Sequence, residues 1–140
     1  MTFEDELRCE RDCARLSTDF AWTVDRGEFD AFIALFAPEG ALERGGQVLR
    51  GPAALRGFLE AMPLDRTMRH LCSNIRIDMT GPTTAKGTSG VMMVHAMLPP
   101  TEPLPLPAGT PLVAEYEDEY VLTASGWKFQ YRKTFIVFKP

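Results

Sequence analysis

Histidine occurs twice in the chain, at His70 and His95. Its unperturbed pKa of about 6.5 lies nearest neutrality among side chains, so each is a candidate proton acceptor. Asp25 is the carboxylate that calls for an explanation. It falls in the last turn of an N-terminal amphipathic stretch, where the helix dipole disfavours an anion. A residue that breaks a local rule points to function. A solvated carboxylate beside Arg26 is the equal alternative. A carboxylate held on one ring nitrogen of His70 would fix its tautomer and leave the other nitrogen free to take a proton. Asp25 and His70 are the residues from which such a dyad could be built. His95 alternates with Val91, Met93 and Met97, which puts it either on a pocket wall or in solvent before Pro99. Tyr116, Asp118 and Tyr120 share one face of a strand, and the tyrosines can donate to a carbonyl or hydroxyl oxygen. Arg132 shares parity with Ile136 and Phe138, with Lys133 beside it keeping a surface reading open.

The elements that must position these residues follow from periodicity. Leu7, Ala14, Leu16, Phe20, Ala21 and Val24 recur at helical steps and predict a helix over 4–25, stopped by Gly27. Phe29, Phe32, Ile33, Leu35 and Phe36 predict a second helix over 28–37, ended by Pro38. Gly45-Gly46 marks a hairpin within 40–50, and Pro52 opens a third helix to about Met62. After Pro63 the period becomes two. Strands are expected over 68–79, 84–98, 112–123 and 127–138, with Ile75, Ile77 and Met79 on one face of the first. Six prolines between 99 and 111 predict a stiff extended loop that caps a pocket mouth or serves a subunit contact. Helices gathered first and antiparallel strands after them give an α+β fold: a cone-shaped curved sheet wrapped around N-terminal helices, enclosing an apolar pocket. Trp22, Phe32, Phe36, Phe58, Met62, Met68, Met92 and Met93 read as core or pocket wall. A methionine-rich wall suits an apolar, even polycyclic, ligand.

Composition narrows the function classes. At 140 residues, 45% hydrophobic and 24% charged, the chain has the size of one domain over 1–140. A net charge of −4 and a pI near 5.2 argue against a nucleic-acid partner. No apolar run approaches the ~18 residues needed to span a bilayer, and the acidic start does not read as a signal peptide. Three cysteines, at 9, 13 and 72, fit a reduced, cytoplasmic chain. No G-x-S-x-G, H-E-x-x-H, phosphate loop or calcium loop occurs, so elimination leaves a cofactor-free and metal-free mechanism.

Three stretches carry a resemblance. DFAWTVDRGEFDAFIALFAPEGAL (19–42) resembles the helix-one to helix-two joint of the nuclear-transport-factor-2-like superfamily. RHLCSNIRID (69–78) resembles its first long strand, and YEDEYVLTASGWKFQYRK (116–133) its closing hairpin. The branch resembled is the SnoaL-like one, with scytalone dehydratase, bile-acid 7α-dehydratase and the lindane dehydrochlorinase. The resemblance implies an α+β barrel, an acid–base Asp25, a general base at His70, a second pocket histidine at His95 and a pocket arginine at Arg132. Phe20 departs from it, since some relatives carry a tyrosine or lysine there. It also implies a homo-oligomer, dimer or trimer, associating through the outer sheet face. The expected function is a cofactor-independent lyase or isomerase, dehydratase- or cyclase-like, acting on a hydrophobic small molecule. His70, Asp25, Arg132 and His95 are its candidate catalytic residues; Phe20, Tyr116, Tyr120, Trp22 and Met93 are its candidate substrate contacts. The alternatives are a binding or accessory module of the same fold and an oligomerisation scaffold.

Overall fold

Helix α1 runs Phe3–Arg26 because its apolar residues return to one face and both ends are closed. Thr2 and Asp5 cap each other reciprocally at the start, satisfying two orphan N–H groups. Cys9, Cys13, Leu16, Phe20 and Val24 form the buried stripe. At the end Gly27 takes φ 64°, which glycine adopts without strain, and Glu28 N–H closes onto the Thr23 carbonyl at 3.0 Å. This stop leaves Asp25 one residue from the helix end, in its last turn.

The computed structural model describes residues 1–101, 103–107, 109 and 111–140. The remaining elements are α2 (Phe29–Ile33), β1 (Phe36–Arg44), β2 (Gln47–Arg50), α3 (Gly51–Glu60), β3 (Thr67–Gly81), β4 (Thr84–Ala96), β5 (Leu112–Thr123) and β6 (Gly126–Phe138). They build one curved, open sheet in the order β2-β1-β6-β5-β4-β3. The α+β class and the wrapping of strands about the helices agree with the sequence reading. Two features differ from it. The second helix ends at Ile33, because the run Leu35–Phe36–Ala37 is buried on all sides and extends instead into β1. A short apolar run reads equally as helix or strand, and pairing decides. Here β1 pairs parallel to β6, so the sheet is mixed rather than wholly antiparallel. Pro38 sits at the register shift between Phe36 and Ala41, where no ladder N–H is required.

The hairpin lies where Gly45-Gly46 placed it, with φ 56° and 78°, the two positive angles that a type I′ turn demands. Strand β3 carries a bulge between Ser73 and Arg76, with Asn74 at φ 54°. Before it Met68, His70 and Cys72 point inward; after it Ile75, Ile77 and Met79 do. One extra residue thus turns both sets to the same face. Of the proline-rich stretch 99–111, positions 102, 108 and 110 lie outside the described residues; the others form no helix or strand. Leu104 to Pro107 pack near Met68 and His95. No helix among the described residues is long and apolar enough to cross a membrane.

Candidate active site

The site forms where the end of α1 meets the edge of the sheet. Strand β3 is an edge strand, paired only with β4, so one set of its backbone N–H groups has no strand to bond. Asp25 takes one of them: His70 N–H donates to Oδ2 at 2.8 Å. The other carboxylate oxygen, Oδ1, lies 2.5 Å from His70 Nδ1. The Asp25 side chain is only 3% exposed and that of His70 14%. An ionised carboxylate only accepts, so Nδ1 is the donor in this contact; in the neutral ring that tautomer leaves the lone pair on Nε2. His70 lines a largely apolar cavity of about 100 Å³ together with Phe20, Val24, Met68, Met93 and Tyr116. A histidine held by a carboxylate at the wall of an apolar cavity is an arrangement that can serve proton abstraction from carbon.

The sequence matches the family model of the SnoaL-like domain over residues 5–133. The chain belongs to the SnoaL-like family. Among solved structures, a candidate scytalone dehydratase from Novosphingobium aromaticivorans is 25% identical, with a TM-score of 0.75 over 91% of this chain and 83% of that one. A Mycobacterium tuberculosis protein of unknown function is 23% identical, with a TM-score of 0.74 over 89% and 73% of the two chains. A type-3 hexachlorocyclohexane dehydrochlorinase from Novosphingobium barchaimii is 17% identical, with a TM-score of 0.73 over 92% and 90%. The last two likenesses are of fold. No curated protein matches the chain.

Within this SnoaL-like fold the other expected residues separate into groups. Phe20, Met93 and Tyr116 line the cavity beside His70. Trp22 does not: it is 55% exposed on the outer side of α1, with the Arg26 guanidinium 3.4 Å from its ring, and it lines instead a separate surface hollow of about 390 Å³ that Asp25, His70 and Cys72 also border. The residues facing inward on α1 are Phe20 and Val24, and Trp22 lies between them on the opposite face. His95 is exposed, beyond Met93 toward the strand end, against Leu104–Pro107 and away from the cavity that holds His70.

Arg132 and Tyr120 also fall outside that cavity. Arg132 is fully buried and faces Asp118, with Nε to Oδ1 at 2.9 Å and Nη2 to Oδ2 at 3.2 Å. Nη2 further donates to Ser17 Oγ at 2.8 Å. Burial alone would lower its pKa, but Asp118 together with the neighbouring Tyr116 and Tyr120 outweighs that and shifts it upward. Tyr120 donates to the same carboxylate at 3.0 Å. The rings of Tyr116, Phe20 and Phe129 close over the guanidinium carbon at 3.6, 4.5 and 4.5 Å. Phe20 and Tyr116 therefore stand between Arg132 and the cavity. This arginine is a core ion pair and not a surface residue, with Nη1 buried and without a hydrogen-bond partner among the described residues.

A larger groove of about 560 Å³ lies on the outer sheet face among Glu43, Lys86, Glu117 and Lys133. Neither member of the dyad reaches it. Among the described residues no three His, Cys, Asp or Glu side chains gather closely enough to hold a metal ion. Arg44 and Arg66, which the sequence reading passed over, line the cavity of His70. A lone arginine at a hairpin end and another in a turn gave no pattern to find them by.

Burial pushes the Tyr116 phenol up from 10.0 to about 12, with Arg132 pulling the other way. It remains a hydrogen-bond donor across the neutral range. The sign for stability follows from proton counting: above pH 10.0 the unfolded phenol ionises while the folded one holds its proton. The stability this group contributes is complete below that pH and is lost as pH rises to about 12. Buried Tyr120 is shifted in the same direction. Urea midpoints measured between pH 9 and 12 should fall with rising pH, and Tyr116→Phe should flatten part of that slope. A flat wild-type profile would contradict the buried phenols.

Proposed function

We propose that the protein is a cofactor-independent lyase in which His70 removes a proton from carbon in a hydrophobic small molecule. The observation that carries the reading is the Asp25–His70 contact, with Nδ1 occupied by the carboxylate and the ring lining the cavity. The SnoaL-like family and the scytalone-dehydratase-like and dehydrochlorinase neighbours support it.

In a dehydration, Nε2 takes the proton beside a carbonyl and the C–H electron pair forms the new double bond. The C–O bond at the next carbon breaks. The imidazolium returns its proton to the departing hydroxide, giving water and leaving the histidine neutral. Asp25 compensates the positive charge while it exists. Tyr116, protonated and beside the same space, is placed to donate to the carbonyl oxygen as negative charge develops there. The three free thiols fit a reducing compartment.

A second reading, a binding module with no turnover, draws on Phe20 and on the closure of Arg132 by Asp118, because neither then assists a leaving group. Proton exchange separates the two. Cyclic ketones and β-hydroxy ketones incubated with the protein in D2O should lose C–H signal by NMR faster than in buffer, and the hydroxy compounds should release water. Exchange at the buffer rate for every compound that binds in the cavity would leave the binding module standing.

A further inference from the structure

Two guanidinium groups open onto the cavity of His70, and no carboxylate answers either. Arg66 reaches it from the turn between α3 and β3, and Arg44 from the end of β1. Neither joins an ion pair among the described residues. Arg66 is half-buried, and its Nε is shielded from solvent with no hydrogen-bond partner among them. Arg44 is exposed at the rim, its guanidinium carbon 5.0 Å from the Phe58 ring centre. Glu43, next in the chain to Arg44, is engaged elsewhere: Tyr131 donates to it and Lys133 lies 3.6 Å away. A shielded cationic donor without an acceptor is costly; the apolar wall of Val24, Met62, Met68, Val91 and Met93 supplies none, and the hydroxyls of Thr134 and Tyr116 on the same wall make no bond to it.

The missing acceptor is best supplied by the ligand. The guanidinium fork matches a planar group with two oxygens and full negative charge, which is a carboxylate. The volume of about 100 Å³ falls short of the roughly 150 Å³ that holds benzene, so it takes a short chain, or a small ring whose outer part stays at the open mouth. That is smaller than the polycyclic ligand which the methionine-rich wall suggested. We propose that the cavity selects an apolar carboxylic acid, its carboxylate held by Arg66 and Arg44 and its hydrocarbon part directed toward His70. The inference rests on the acid–base reading of the same cavity and names the substrate class. The carboxylate is a handle; the reacting C–H is activated by a second group, such as a ketone, within reach of Tyr116.

Isothermal titration with benzoate, cyclohexanecarboxylate, their primary amides and phenyl phosphate tests this without turnover. At least one acid should bind about ten- to a hundredfold more tightly than its amide, as a charged hydrogen bond predicts. Arg66→Met and Arg44→Met should each bring the acid down toward the amide, with unchanged thermal melting showing that the fold is kept. Arg44 lies at the rim, so its variant keeps the question answerable if the Arg66 variant is unstable. Equal binding of acid and amide, an acid preference untouched in both variants, tighter binding of phenyl phosphate than of either acid, or no binding of any acid up to its solubility would each overturn the proposal. His70→Gln should retain the acid preference. Preference without proton exchange would remove the catalytic reading alone; exchange without preference would remove this one alone.

Discussion

Replacing His70 with alanine is expected to lower turnover by about 10²–10⁴-fold, the usual contribution of a positioned base, while leaving the fold intact. The side chain lies at the edge of the sheet and not in the aromatic core, so its loss opens little apolar space. Asp25→Asn should cost a comparable factor for a different reason. Asp25 accepts two bonds from one residue, from the backbone N–H and from Nδ1 of His70. An amide offers one acceptor and one donor, so one of these bonds must become donor against donor. The escape is for the ring to move its proton to Nε2, and the lone pair that faced the cavity is then gone. Because the two side chains act as a unit, Asp25→Asn/His70→Ala should be scarcely slower than His70→Ala alone. Single-turnover rates, taken with whichever carbon acid undergoes exchange, read all three variants. Multiplying losses in the double variant would mean that the carboxylate acts independently, and an unimpaired His70→Ala enzyme would exclude this histidine as the base.

The parts of this arrangement that sequence could show are those that depend on local rules. The length of α1, its stop at Gly27 and the hairpin at Gly45-Gly46 each follow from a residue whose backbone preference has no competitor nearby. Asp25 was noticeable because an anion at a helix C-terminus breaks a local rule, and His70 as one of two histidines; the resemblance to the SnoaL-like branch, not spacing, singled the two out as a pair. The structure brings that pair together through an edge-strand N–H which no pattern of side chains records. What stayed hidden depends on pairing between distant strands. Strict alternation places His70 and Ile75 on opposite faces of β3; the bulge at Asn74 puts both inside. A second register shift, between Glu119 and Tyr120 in the pairing of β5 with β6, has the same effect: Trp127 and Phe129 point inward before it and Arg132 after it. The second helix failed for a related reason, because pairing with β6 claimed residues whose spacing suits either period. Arg44 and Arg66 meet only once the sheet has curved, so their convergence has no counterpart in the linear chain.

The second large effect should fall on stability. Asp118 and Arg132 sit opposite each other on β5 and β6 with both side chains wholly buried. Asp118→Ala leaves the guanidinium charged in the core with Ser17, Ser89 and aromatic faces as its remaining neighbours. Rings attract a cation by about 2 kcal/mol when desolvated, less than an uncompensated buried charge costs. The expected destabilisation is therefore about 3–5 kcal/mol, read from urea unfolding at neutral pH. Removing both charges together should cost far less, because replacing a buried pair with apolar groups of similar volume is often neutral or favourable. Asp118→Leu/Arg132→Met should therefore recover most of the loss. Tyr120 gives up an acceptor in that variant and sets a limit on the recovery, which adding Tyr120→Phe should lift. The same proteins decide whether Arg132 enters the chemistry. With Phe20 and Tyr116 closing it off, the well-folded double variant should turn over at a rate of the same order as the unmodified protein. A stable double variant that has lost a hundredfold or more would show that the guanidinium acts on the substrate through that aromatic wall, as general-base catalysis by His70 alone would not require.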